Sequence, residues 1–200
     1  MSLVIALMSL VLLSAIGVSL AVVTQSDTRV AANHATSREA LYAADGVLHI
    51  AAHELLAVAD WNALLSNGAL SAFADGAPNG ARSLGDGTTI DLAQATSAIN
   101  SESRPWGANN PVWRLFAFGW LGNRTYVMAW IGDDVSENDG DPAVDGGGGA
   151  TNPGAGILAV RAEAFGVGGA HKALEATVKR EVLPGGSTVL RVLSWQERRQ

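Results

Sequence analysis

The 200-residue chain has no cysteine. That rules out a disulfide framework, a thiolate metal site and a cysteine nucleophile. It does not fix the compartment, because an exported protein can do without disulfides. Charge is also sparse: 16% of residues are charged, with a net of −6 and no basic block. Nucleic-acid binding rewards clustered Lys and Arg, so nucleic acid is not an expected partner. Catalytic signatures are missing too. There is no G-x-S-x-G elbow, and the glycines at 146–149 are not followed by Gly-Lys-Ser/Thr as a phosphate loop requires. No enzyme is expected.

The most local absence is at the start. From Met1 to Val23 nothing ionises except the terminal amine, and no Lys or Arg precedes Arg29. A secretory signal would open with positive charge and carry a shorter apolar core. At about 1.5 Å per residue, the run suits the ~30 Å hydrocarbon core of a bilayer. A membrane helix ordinarily needs flanking basic residues to orient it, so a basic leader before Met1, removed by cleavage or lost in start assignment, is the expected complement.

Proline is absent from the next stretch, "TQSDTRVAANHATSREALYAADGVLHIAAHELLAVADW". The helix therefore need not stop at the membrane surface. Leu41, Ala44, Leu48, Ala51 and Leu55 recur at helical spacing and form one apolar stripe. One helix is expected over about residues 2–58, lipid-soluble in residues 1–24 and amphipathic beyond. Gly46 marks a bend or a close contact within it.

The segment "RVAANHATSREALYAADGVL" at 29–48 resembles the N-terminal region of PilX-like minor pilins of type IV pili. Arg29, Asn33, Ala43, Ala44, Asp45 and Leu48 fall in register with that pattern, and "SLVIALMSLVLLSAIG" at 2–17 is similar to the family's opening after prepilin cleavage. The resemblance implies a membrane-anchored assembly subunit, other pilins as partners through the N-terminal helix, and a prepilin peptidase acting on a leader. It would sit in the inner membrane with its head outside the cytoplasm, then enter an extracellular filament, near the tip in one version of this reading. Met1 and Ile5 become assembly positions; Leu41, Ala44, Leu48 and Leu55 become packing positions. Two departures matter. Asp45 stands where Glu is usual, and Ile5 stands where major pilins carry a Glu that would neutralise a neighbour's buried amine. Ile5 points to a minor subunit, as in the PilX and K-type pseudopilin groups. The rival readings are a type II secretion minor pseudopilin and a static single-pass protein with an outward domain.

Residues 59–110 read as a connecting segment of loops and short helices, with "TIDLAQATSAINS" open between helix and strand. From 111 to 200 the pattern is strand-like. "VWRLFAFGWL" and "RTYVMAWIG" flank Gly122-Asn123 as a hairpin; "GILAVRAEAFG" and "AHKALEATVKREV" form a second; "STVLRVLSW" is a fifth strand. Leu158, Val160, Ala162 and Ala164 share one face, with Arg161 and Glu163 on the other. The expected fold is α+β and pilin-like: a long helix packed on an antiparallel sheet of four to five strands, whose other face is polar. The six tryptophans are expected in the hydrophobic support.

Two ligand patterns stand out. His49 and His53 are one helical turn apart beside Glu54, with His34 or His171 as a distant third zinc ligand, and a polar helix face is the plainer account. The acidic stretch "GDDVSENDGDPAVDGGGG" places Asp133, Asp134, Glu137, Asp139, Asp141 and Asp145 in one turn-rich loop. Asp134, Glu137, Asp139, Asp141 and Asp145 are the candidate calcium ligands, since calcium takes six to eight oxygens, although no EF-hand register fits. A solvated acidic loop is the alternative.

Overall fold

The computed structural model describes residues 1–102, 111–137, 139–146 and 154–198. Trp106, Asn138, the end of the connecting segment at 103–110 and the glycine run past Gly146 lie outside the described residues. The chain divides into two compact units, Met1–Thr36 and Ser37–Gln200.

A single helix, α1, runs Ser2–Ala57. Its part in the first unit is exposed almost throughout. Several hydroxyls of that part bond their own helix. Ser9 Oγ donates to the Ile5 carbonyl at 2.9 Å, and Thr24 and Thr28 donate to the carbonyls four residues back at 2.9 and 2.8 Å. Polar side chains that bond their own helix are tolerated in an apolar solvent.

The second unit is built on an antiparallel meander. Strands β3 (Arg114–Leu121), β4 (Thr125–Asp133), β5 (Ile157–Phe165), β6 (His171–Val182) and β7 (Thr188–Arg198) lie in that order. A separate ribbon pairs β1 (Ala81–Ser83) with β2 (Thr89–Asp91). Ala40, Ala43, Ala44, Val47, Leu48, Ala51 and Leu55 of α1 share one core with Val127, Ala129, Ile131, Leu158, Val160, Ala162, Leu174 and Val178 of the sheet. The many alanines let the helix backbone approach the sheet closely. Gly46 marks such an approach: a Cβ there would lie 3.2 Å from Leu121 Cδ2.

The connecting segment folds by its caps. Asp60 accepts the Asn62 N–H at the start of α2 (Trp61–Asn67), and Gly68 closes it in the left-handed conformation at φ 64°. The ambiguous "TIDLAQATSAINS" is both strand and helix. β2 ends at Asp91, which caps α3 (Leu92–Ser101) by accepting the Gln94 N–H at 2.8 Å.

The sheet's other face departs from the expected solvated polar surface. Leu92 and Ile99 of α3 pack with Trp113, Leu115, Phe118, Tyr126, Met128 and Trp130 in a second core. Every residue of β4 is therefore buried. Trp130 Nε1 donates to Thr96 Oγ1 at 2.9 Å, and the Tyr126 hydroxyl donates to Asp75 Oδ2 at 3.0 Å. Trp61, Trp113 and Trp130 are buried as support, whereas Trp120 and Trp195 remain 37% and 49% exposed.

Candidate functional site

Three groups of residues bear on function. The first is the apolar start of α1. Met1 and Ile5 are exposed, along with the leucines and valines up to Val23. This helix is long and apolar enough to cross a membrane, and none of its most hydrophobic window is buried. No acidic side chain occupies the fifth position: Ile5 is an alkyl group there, 65% exposed.

The second is the Ala-Ala-acid stretch of α1. Ala44, Leu48 and Leu55 are buried and Leu41 is half-buried against the same core. Asp45 turns away from it. Its Oδ1 accepts from Trp195 Nε1 at 3.3 Å and its Oδ2 lies 3.7 Å from His49 Nε2. A residue of the motif is thus tied to β7, a link that sequence spacing does not reveal. Glu54 accepts the Ala72 N–H at 3.1 Å. The histidines at 49 and 53 do not join a cluster of three ligating groups among the described residues.

Residues 1–49 match the PilX N-terminal family model. This quarter of the chain is a PilX-like type IV pilin N-terminal region. No curated protein and no solved structure matches the chain. The PilX-like region therefore covers all of the exposed apolar run and reaches into the part of α1 that packs on the sheet, ending one residue after the buried Leu48.

The third group is the acidic loop after β4. Glu137 and Asp139 come together, joined by Asp133, the last residue of β4. The other expected ligands have different partners. Asp134 Oδ2 accepts from Ser136 Oγ. Asp141 Oδ1 accepts the Ala143 N–H at 3.0 Å. Asp145 Oδ1 accepts the Gly156 N–H at 2.7 Å, while its own N–H donates to Asn62 Oδ1 at 2.6 Å. Burial pushes the Asp145 carboxyl up, against the pull of the Gly156 N–H and the Arg180 charge. Asp145 thus fastens the loop to α2 and to the start of β5.

A buried ion cluster, absent from the sequence reading, lies on the α3 side of the sheet. Arg161 is 5% exposed. Its guanidinium reaches Glu163 at 2.7 Å, Glu102 at 3.0 Å and Glu175 at 3.6 Å. His171 Nε2 meets Glu163 at 2.9 Å and its ring stacks on Phe165 at 4.2 Å. Burial alone would raise the Glu163 carboxyl, but His171 and Arg161 outweigh it and hold it below its ordinary value. The alternation of β5 put Arg161 and Glu163 on one face, but only the fold shows that this face is closed.

Proposed function

We propose that the chain is a minor subunit of a type IV pilus. The observation that carries this reading is the PilX-like region on a helix whose apolar window is wholly exposed. Such a surface needs lipid or other apolar helices around it, at roughly 25 cal/mol per Å² of apolar area removed from water. A pilin uses both in turn. The helix spans the inner membrane first, with the head outside the cytoplasm, and then packs on neighbouring pilin helices in the filament. Where a leader precedes this sequence, a prepilin peptidase removes it before assembly. Ile5 supports the minor role: in the register of the resemblance it stands where major pilins carry a glutamate, and it offers no carboxylate to the filament interior.

The test is fractionation of cells expressing a tagged copy. The chain is expected in sheared filaments at low copy number, in membranes alone when the assembly ATPase is deleted, and to be required for normal piliation. A chain confined to membranes in piliated cells, with piliation unaffected by its deletion, would refute the reading and favour a static anchor.

A further inference from the structure

We infer that β7 is an interface along which two copies of this chain pair edge to edge, antiparallel, about a two-fold axis at Leu193 and Ser194. β7 ends the sheet, and among the described residues no segment pairs with its outer side. The opposite edge is covered. There the Ser71 and Asp75 N–H groups donate to the Phe116 and Phe118 carbonyls of β3 at 2.9 and 3.1 Å. A bare edge presents a row of backbone donors and acceptors that a further strand satisfies. Proteins that avoid such pairing blunt the edge with Pro, Lys or a covering segment. β7 is 11 residues long and holds neither Pro nor Lys. It leaves Val192, Leu193 and Trp195 46%, 47% and 49% exposed.

The register shows that this edge complements itself. Ala176 and Val178, both in the core shared with α1, stand opposite Trp195 and Val192. The bulge in β7 takes up the extra residue between them, so Val192 and Trp195 lie on one face, the α1 side. Trp195 Nε1 reaches Asp45 of α1 there. Gln196 and Arg191, opposite Glu175 and Lys179, lie on the other face. A two-fold axis at the bulge therefore sets Trp195 against Val192 of the second copy, and Val192 against its Trp195, face on face. Aromatic and β-branched side chains opposed in this way stabilise strand pairs. Gln196 then meets Arg191 of the second copy, and Glu197 meets its Leu190, so like charges are not opposed. A contact of this isologous kind closes at two copies.

The chain has no cysteine, so introduced thiols report position without background. Full-length Val192→Cys with one tag is mixed with full-length Trp195→Cys with another in detergent micelles and oxidised mildly. Directly opposed residues have Cα atoms about 4.5–5.5 Å apart, within the span a disulfide bridges. The mixed disulfide is expected several-fold above either homodisulfide. It is expected equally far above the disulfide formed by Asn123→Cys, an exposed position in the β3–β4 turn. Adding Leu193→Lys to both chains is expected to abolish the mixed disulfide, while Leu193→Lys alone melts close to the parent. Crosslinking at Asn123 equal to that at β7 would overturn the interface, because association would then be driven from elsewhere. A mixed disulfide that survives Leu193→Lys would overturn it as well. So would a photocrosslinker at Leu193 in cells that captures another protein and no second copy. The disulfide readouts come from purified protein, so they fail or succeed independently of the filament assay.

Discussion

Replacing Arg161 with Met tests whether the closed α3-side face is held by charge. The substitution keeps much of the side-chain volume and removes the cation. Glu163 and Glu175 have side chains only 7% and 11% exposed, and Glu102 37%. Two carboxylates would thus remain in a largely buried site with fewer partners. Glu163 keeps His171 at 2.9 Å, and Glu175 keeps Arg198 at 3.7 Å, so the loss is partial. Removing one partner of a buried pair costs about 3–5 kcal/mol. For a chain of this size, each kcal/mol moves the melting temperature by roughly 2–4 °C, giving a drop of about 6–20 °C at pH 7. The pH dependence supplies the sharper test. In the parent, Glu163 is held below its ordinary value. Its stabilisation is present above that ordinary value and is lost as pH falls through the folded one. In Arg161→Met the Arg161 attraction is gone while His171 remains, so Glu163 is held down less firmly and the variant loses less stability than the parent as pH falls. The deficit between the two proteins should narrow between pH 7 and pH 4.5. Melts by circular dichroism across that range measure it, and adding Glu163→Gln should recover part of the loss at pH 7. A deficit under about 1 kcal/mol at pH 7, or one that does not change with pH, would refute the reasoning.

Leu48→Ala, at a site 1% exposed, should cost about 3–5 kcal/mol, whereas Tyr42→Ala, 67% exposed, should cost little; paired melts decide. Gly46→Ala should be neutral or stabilising, because helix propensity gains about 1 kcal/mol and the contact it meets is the movable end of Leu121, while Gly46→Phe should destabilise clearly in urea titrations. The Asp145 carboxyl is pushed up by burial, so its charged form should cost stability as pH rises from the ordinary Asp value through the folded one. Asp145→Asn keeps an acceptor for Gly156 and should flatten that slope in urea melts across pH 3.5–7. Intact mass of the protein from membranes should include residues 2–23; a species beginning near Val22 would restore a signal peptide.

The long helix was legible because its evidence is local: an uncharged run, no proline, and a stripe from Leu41 to Leu55 at three- and four-residue steps. The hairpins were legible because alternation and glycine turns are local as well. What could not be read depends on which segment covers which. β4 alternates Tyr126, Met128 and Trp130 with Val127, Ala129 and Ile131, apolar on both sides, and that doubling is the signal for two covered faces. Arg161 and Glu163 read equally well as solvated or as closed over by α3, since residue type does not show what lies opposite. In the acidic loop, the composition indicated oxygen ligands, but the turns around Asp141 and Asp145 direct their carboxylates to backbone N–H groups. They leave Asp133, at a strand end, beside Glu137 and Asp139.

The C-terminal end of α1 has one more consequence. Carbonyls at a helix end lack intrahelical partners. Here Trp61 Nε1 donates to the Leu55 carbonyl at 3.1 Å, and Arg180 of β6 donates to the Val58 and Ala59 carbonyls at 2.5 and 2.8 Å, its guanidinium lying 4.0 Å over the Trp61 ring. The helix terminus and the two residues after it are thus held by side chains from α2 and from β6, the strand next to the sheet edge. A tensile load carried along α1 would meet this clamp before it could unwind the last turn. The pull would pass into β6 and be shared with β5 and β7, the strands hydrogen-bonded on either side of it.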